Sequence, residues 1–334
     1  GDTVIEAGGV LRIDQDACLG RPPDGSAPGR LELRGRLEAT ATLELAADRE
    51  ILLGNPSGTI VVPVNRTVTV KGSMVGDGLI KRGLGTLVLA GDNSFSGGVE
   101  YADQSIIRVD HANGFGTGTI QFSSNGTLHY GPGVTTDLSN QIAPWDPSVA
   151  VTINTGDNQV VFASPLGHAG VAEPAPASGT LFKIGTGKLT LAPTDTTYPT
   201  QMKLLYVEEG EFAVTRGIFE LLGSATPVAS VYTGSTSLFV KNATLTIAGG
   251  TVLTQESLLL NYGAGTNATL NVSSGNLEVP GDLVAGANRL ATVNISVSGG
   301  ATTEIIVGGD FIVGLEGSST VNVSGGSTQI GGNL

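Results

Sequence analysis

The chain carries very little of what catalysis or metal binding is usually built from. Its one cysteine, Cys18, excludes an internal disulfide and any cysteine pair for zinc. Its local sequence, Asp16-Ala17-Cys18-Leu19-Gly20, offers an acid rather than a His or Lys, so it reads as a packed structural residue and not as a nucleophile. Three histidines, His111, His129 and His168, are scattered over separate segments with no ligand spacing. No serine sits in a Gly-x-Ser-x-Gly elbow, which removes support for acyl transfer. No run of about 18 apolar residues occurs, so no helix of this sequence is expected to span a membrane. No secretory leader is present, and the start at Gly1-Asp2-Thr3 reads as a processed or excised chain.

Charge is scarce too. Only 14% of residues are Asp, Glu, Lys or Arg, against about 25% in ordinary domains. Lys and Arg number 17 against 30 acids, a net charge of -13. With no basic run, nucleic acid and anionic membrane are not the expected partners, and no cofactor is expected.

What is abundant is glycine, 50 of 334 residues, together with a 40% hydrophobic fraction that is ample for a core. This mixture suits many short strands joined by tight turns. Near the middle the chain reads Gly78-Leu79-Ile80-Lys81-Arg82-Gly83-Leu84-Gly85-Thr86-Leu87-Val88-Leu89, followed by Gly91-Asp92-Asn93-Ser94-Phe95-Ser96-Gly97-Gly98. A second copy begins at Gly179-Thr180-Leu181-Phe182-Lys183-Ile184-Gly185-Thr186-Gly187-Lys188-Leu189-Thr190-Leu191, with Lys183 falling 102 residues after Lys81. Recurrence at a fixed period is the mark of a repeat protein.

The first copy, within residues 76–98, resembles the autotransporter-associated β-strand repeat of large secreted bacterial surface proteins. It shares the run Lys-x-Gly-x-Gly-x-Leu-x-Leu-x-Gly-x-Asn-x-Phe-x-Gly-Gly. The second copy departs from the pattern, with Ala192-Pro193-Thr194-Asp195-Thr196 in place of the Gly-x-Asn-x-Phe ending. The resemblance implies an all-β, elongated, right-handed parallel β-helix (β-solenoid) displayed outside a bacterial cell.

Residues 1–225 read as long repeats of about 100 residues. Arg12-Ile13-Asp14 recurs as Arg108-Val109-Asp110, 96 residues on, and Glu209–Val214 is a degenerate third copy. Within them, residues 130–178 carry Pro144, Pro147, Pro165, Pro174 and Pro176 and read as a loop insertion, since proline excludes a central strand. Residues 226–334 read as short rungs of about 25 residues on the same continuous solenoid. Ala243-Thr-Leu-Thr, Ala268-Thr-Leu-Asn, Ala291-Thr-Val-Asn and Ser319-Thr-Val-Asn mark their starts. Period-2 alternation turns Leu245, Leu270, Val293 and Val321 inward as one column and Ile247, Val272, Ile295 and Val323 as the next. Neither end shows a charged, proline-bearing cap, so end-to-end stacking, or continuation into further rungs, is expected.

Alternation leaves Thr244, Thr269, Thr292 and Thr320 outward in one column and Thr246, Asn271, Asn294 and Asn322 in the next. Such an array suits ice or an ordered carbohydrate, and equally a self-solvating ladder that stiffens the rod. The carboxylate pairs Asp14/Asp16 and Glu209/Glu211 are the candidates for glycoside chemistry. Asp14 recurs as Asp110, which suits a turn position better than an active site. Gly308-Gly309-Asp310 is an incomplete approach to a calcium-binding repeat, so no metal is expected. Seven Asn-x-Ser/Thr sequons, at Asn65, Asn125, Asn242, Asn267, Asn271, Asn294 and Asn322, are what an Asn/Thr-rich chain contains by chance.

The reading that unites these features is a non-enzymatic, extracellular structural or adhesive segment (stalk, fibre or surface adhesin), with a host or matrix glycan as a candidate partner. A polysaccharide-degrading β-helix enzyme and an ice- or glycan-binding solenoid are the alternatives.

Overall fold

The structure is a computed structural model that describes residues 2–20, 29–172, 175, 177–226, 232–262, 267–286, 292–298, 303–315 and 318–334. Of residues 292–297, 318 and 323 only the backbone is described. The described chain is β-strand and turn, with one short 3-10 turn at Asp16–Leu19. It is a parallel β-helix. It divides into two compact units, residues 1–136 with 141–145 and 149–154, and residues 137–140 with 146–148 and 155–334.

In the first unit the strands stack in three parallel sheets. One holds Thr3–Ile5, Leu31–Leu33, Ile51–Leu53 and Met74–Gly76. A second holds Val10–Ile13, Arg36–Ala39, Gly58–Val61, Leu79–Arg82, Val99–Tyr101 and Ile120–Phe122. Leu43–Leu45, Thr67–Val70, Thr86–Leu89, Ser105–Val109, Gly126–Tyr130 and Ala150–Asn154 belong to the third. Each turn of chain therefore lays one strand on its predecessor. Leu37, Ile60, Lys81, Tyr101 and Phe122 are successive partners, at intervals of 23, 21, 20 and 21 residues.

The alternation that makes these strands is visible in Thr67-Val68-Thr69-Val70, where both valines are buried and both threonines half-buried. Leu87 and Leu89 are wholly buried, as their Leu-x-Leu spacing predicts. Where the first sheet ends, Asn93 of the glycine-rich motif carries the ladder on. Its Oδ1 accepts the Met74 N–H at 2.8 Å and its Nδ2 donates to the Gly114 carbonyl at 2.6 Å. That bond pattern explains why the motif needs a carboxamide there.

The second unit uses longer strands that bend through their corners, among them Thr200–Val214, Thr236–Thr254 and Asn267–Val279. Leu189, Phe212, Leu245, Leu270, Ile295 and Val321 form one register column, and Leu191, Val214, Ile247, Val272, Val297 and Val323 the next. Leu189, Phe212, Leu245, Ile247, Leu270 and Val272 are 0% exposed. A correction falls on the third short rung. Ile295, and not Val293, continues the Leu270 column. The alignment by motif was two residues out, and a slip of two leaves every residue on the same face, so the hydrophobic pattern could not detect it. The side chains of Val293 and Ile295 lie outside the described residues.

Within residues 130–178, Ala150–Asn154 and Gln159–Phe162 are strands. Trp145 is 3% exposed and meets Phe122 edge-on, with ring centroids 6.1 Å apart.

Candidate functional site

In the second unit Thr244 and Thr246 lie half-buried on the outer face of Thr236–Thr254, between the buried Leu245 and Ile247. Thr269 and Asn271 repeat the arrangement one rung on, with Thr244 beside Thr269 and Thr246 beside Asn271. The register then runs Thr269 to Asn294 to Thr320, and Asn271 to Ser296 to Asn322. The columns are thus Thr244–Thr269–Asn294–Thr320 and Thr246–Asn271–Ser296–Asn322. Thr292 sits one outward position earlier, between Asn267 and Ser318. This is the same two-residue correction seen in the core. Thr320 and Asn322 are exposed, while the side chains of Thr292 and Asn294 lie outside the described residues.

Beside the first two rungs of this array runs a groove of about 410 Å³, lined by Thr186, Glu209, Gly210, Asn242, Ala243, Thr244, Asn267 and Thr269. Glu209 faces Asn242 in register, and Glu211 faces Thr244. The groove is therefore built from Thr244 and Thr269 with the outward residues two positions before them, which strand alternation places on the same face. Asn242 and Asn267 were legible only as sequons, and Glu209 only as half of an acid pair. The signal that finds them is their place at i−2 of the threonines.

Each carboxylate of the two pairs has a structural partner. Glu209 Oε2 accepts the Gly185 N–H at 3.1 Å, and Glu211 pairs with Lys188 at 2.8 Å. Asp16 forms an ion pair with buried Arg49 at 2.7 Å, and Asp14 accepts the Cys18 thiol at 3.3 Å. Cys18 itself is exposed, a correction to its reading as a packed residue. The 3-10 turn sends Leu19 into the core instead. Asp310 belongs to a corner ladder, donating its N–H to Asp282 and accepting that of Asn333, each at 2.7 Å. Asp282 also takes the Tyr232 hydroxyl at 2.8 Å, and burial foremost pushes that phenol up to about 12. His111 accepts the Asn113 N–H at 3.2 Å, and His168 lies 3.2 Å from the Pro199 carbonyl. Burial, with help from Arg108, holds His129 below its ordinary value. Among the described residues no group of three or more His, Cys, Asp or Glu could hold a metal ion.

No protein-family model matches the chain, and no solved structure does. Over 133 residues it is 33% identical to the adhesin BmaC autotransporter of Brucella suis biovar 1 (strain 1330). That similarity covers 37% of this chain, which spans 4% of the length of the relative.

The two lysines of the repeated motif have a role the sequence did not disclose. Lys81 and Lys183 are 0% exposed. Lys81 Nζ donates to the carbonyls of Arg82 and Gly83, at 2.8 and 2.7 Å. Lys183 does the same to Ile184 and Gly185, at 3.0 and 2.7 Å, and adds the Glu209 carbonyl at 3.0 Å. Each ammonium thus ties off a corner whose glycine, Gly83 or Gly185, has a positive φ of 76° or 83°. The next rung completes the corner, because Asp103 accepts the Gly83 N–H as Glu209 accepts that of Gly185. The Lys183 corner thereby fixes Glu209 at the rim of the groove.

Burial pulls Lys81 down to about 7 and Lys183 to about 8, with Asp103 opposing at the first and Glu209 and Glu211 at the second. A lysine at about 7 folded and 10.5 unfolded holds fewer protons in the folded chain between those values. Its contribution to stability therefore rises with pH above about 7 and is flat below. The difference in melting temperature between the parent and Lys81→Gln is expected to grow in the parent's favour from pH 7 to 9. A difference that stays constant or shrinks over that range contradicts the assignment.

Proposed function

We propose that the chain is a non-enzymatic adhesive segment of a bacterial cell-surface protein, a β-helix that holds a polar groove in fixed register for an extracellular glycan. The lining of the groove carries this reading: hydroxyls and carboxamides on consecutive rungs above a dry core, with the neighbouring carboxylates engaged. Such a surface offers paired donors and acceptors to a hydroxyl-rich ligand. Glu209 is the one carboxylate among its lining residues, where glycoside cleavage uses two. Similarity to an autotransporter adhesin supports both the adhesive role and the location outside the cell. Stacking on another solenoid through exposed strand edges belongs to the same proposal. An ice-binding face is less well served, since Asn294 and Ser296 interrupt the threonine and asparagine columns.

The test coats beads with the chain and measures retention on immobilised neutral polysaccharides and on host-cell matrix. Release of reducing ends and thermal hysteresis are followed in parallel. Retention without new reducing ends is expected, and Asn242→Ala should weaken it severalfold at an unchanged melting temperature. New reducing ends, or no retention on any surface, overturn the reading.

A further inference from the structure

The chain is acidic overall, yet one face of its first unit presents positive charge. Arg34 and Arg36 flank a corner at Gly35, and their ion pairs are lopsided. The side chains of Arg34 and Glu32 are 43% and 21% exposed, and those of Arg36 and Glu38 are 45% and 17%. Arg12 shares Glu38 from the neighbouring rung, at 71% exposure. In these pairs the carboxylate lies beneath and the guanidinium on top, whereas Glu6, which Arg34 also meets at 3.6 Å, is itself 71% exposed. The Glu38 carboxyl is held below its ordinary value, above all by the hydrogen bond from Arg12. A ligand approaching Arg12 and Arg36 therefore meets arginine first, and at Arg34 it competes with Glu6. The net charge of -13 conceals it.

These arginines open onto a trough. A depression of about 440 Å³ has Val10, Arg34, Arg36, Ser57, Thr59 and Ile80 among its lining residues. A second, of about 110 Å³, also includes Ser57 and Ile80 and continues past Glu100 and Thr119 to Gln121. Shared walls make the two a single channel. Its floor is one outward register column, Val10–Arg36–Thr59–Ile80–Glu100–Gln121, with one residue contributed by each rung. With rungs about 4.8 Å apart, the channel crosses the strands and suits an extended chain of small repeating units. Arg36 gives one donor to Glu38, at 3.1 Å, and keeps others for a ligand. Ser57, Thr59, Thr119 and Gln121 offer hydroxyls and a carboxamide further along.

We propose that this trough binds an acidic polysaccharide, with its anionic groups on Arg34 and Arg36 and its hydroxyls along Ser57 to Gln121. The site is separate from the groove at Thr244 and does not depend on the function proposed there. Anionic groups on a glycan can be carboxylate or sulfate, and the trough uses what they share, namely charge and oxygen acceptors.

The test uses the whole chain with immobilised alginate, dextran sulfate, neutral dextran and a DNA duplex. Retention on alginate or dextran sulfate is expected, but not on neutral dextran, and it should fall as salt rises. Whichever polyanion is retained identifies the group. Arg34→Gln with Arg36→Gln should weaken retention by about tenfold or more. Because that variant also breaks ion pairs, Gln121→Ala, which leaves them intact, is measured beside it and should weaken retention with no change in melting temperature. Failure to retain either acidic glycan overturns the proposal, as does equal retention of DNA or indifference to Gln121→Ala.

Discussion

Replacing Arg49 with methionine is expected to cost the first unit about 3–5 kcal/mol of stability. The side chain is wholly buried, and its guanidinium engages five acceptor contacts. Nε and Nη2 grip the Asp16 carboxylate at 2.7 and 3.0 Å. Nη1 donates to the carbonyls of Leu19 and Gly29, at 3.2 and 3.1 Å, and Nη2 to that of Gly20 at 3.0 Å. Methionine fills much of the volume but takes the ion pair from Asp16, which keeps the Ala46 N–H at 3.4 Å. It also takes the guanidinium donors from the Gly20, Gly29 and Leu19 carbonyls, of which Leu19 keeps the Thr3 hydroxyl at 3.0 Å. The weakened acceptors dominate the loss. Arg49→Lys should recover less than half, because a point charge cannot reproduce the planar fork. Urea unfolding followed by far-UV circular dichroism reads both variants. A methionine variant within about 1 kcal/mol of the parent would show that water meets these groups after all.

Leu270→Asp should be at least as damaging to the second unit. Leu270 is 0% exposed and stands in backbone register between Leu245 and Ile295. The change removes a core side chain, worth roughly 2–5 kcal/mol. It also strands a carboxyl in an apolar column, which raises that cost further or forces the group to stay protonated. Thr269→Asp, one residue away on the outer face, is expected to cost under about 1 kcal/mol. If the two variants melt alike, the inside and outside of the strand have been exchanged.

These two sites differ in how far the sequence disclosed them. Leu270 was legible because strand alternation has a period of two and the rungs repeat, so a buried position announces itself several times. Arg49 was not legible, because its partners lie 20 to 33 residues away in sequence and no spacing connects them to it. Lys81 and Lys183 fall between these cases. Their recurrence was plain, but a lysine in a polar-looking corner gives no sign that its ammonium turns inward onto carbonyls. The outward array was legible in its composition and misaligned at one rung, since Thr292 and Asn294 share a face and only backbone pairing separates them. Asn242 and Asn267 were legible only as sequons, because each stands one residue before the Ala-Thr-Leu start of its rung. The arginine trough was hidden by arithmetic, because net charge cannot tell an exposed cation from the half-buried acid beneath it.

The account rests on parallel rungs in one register, and a disulfide measures that register directly. Cys18 is first replaced with serine. In that background Thr269→Cys is combined with either Asn294→Cys or Thr292→Cys, and bridging under mild oxidation is scored by mass spectrometry. Register partners on adjacent parallel strands lie about 4.8 Å apart, within the span a disulfide closes, whereas a diagonal neighbour two residues off lies beyond about 7 Å. Rapid, near-complete bridging of the 269–294 pair and little for 269–292 is the predicted result. Preferential bridging of 269–292 would contradict the register, and with it the columns on which the proposed groove is built.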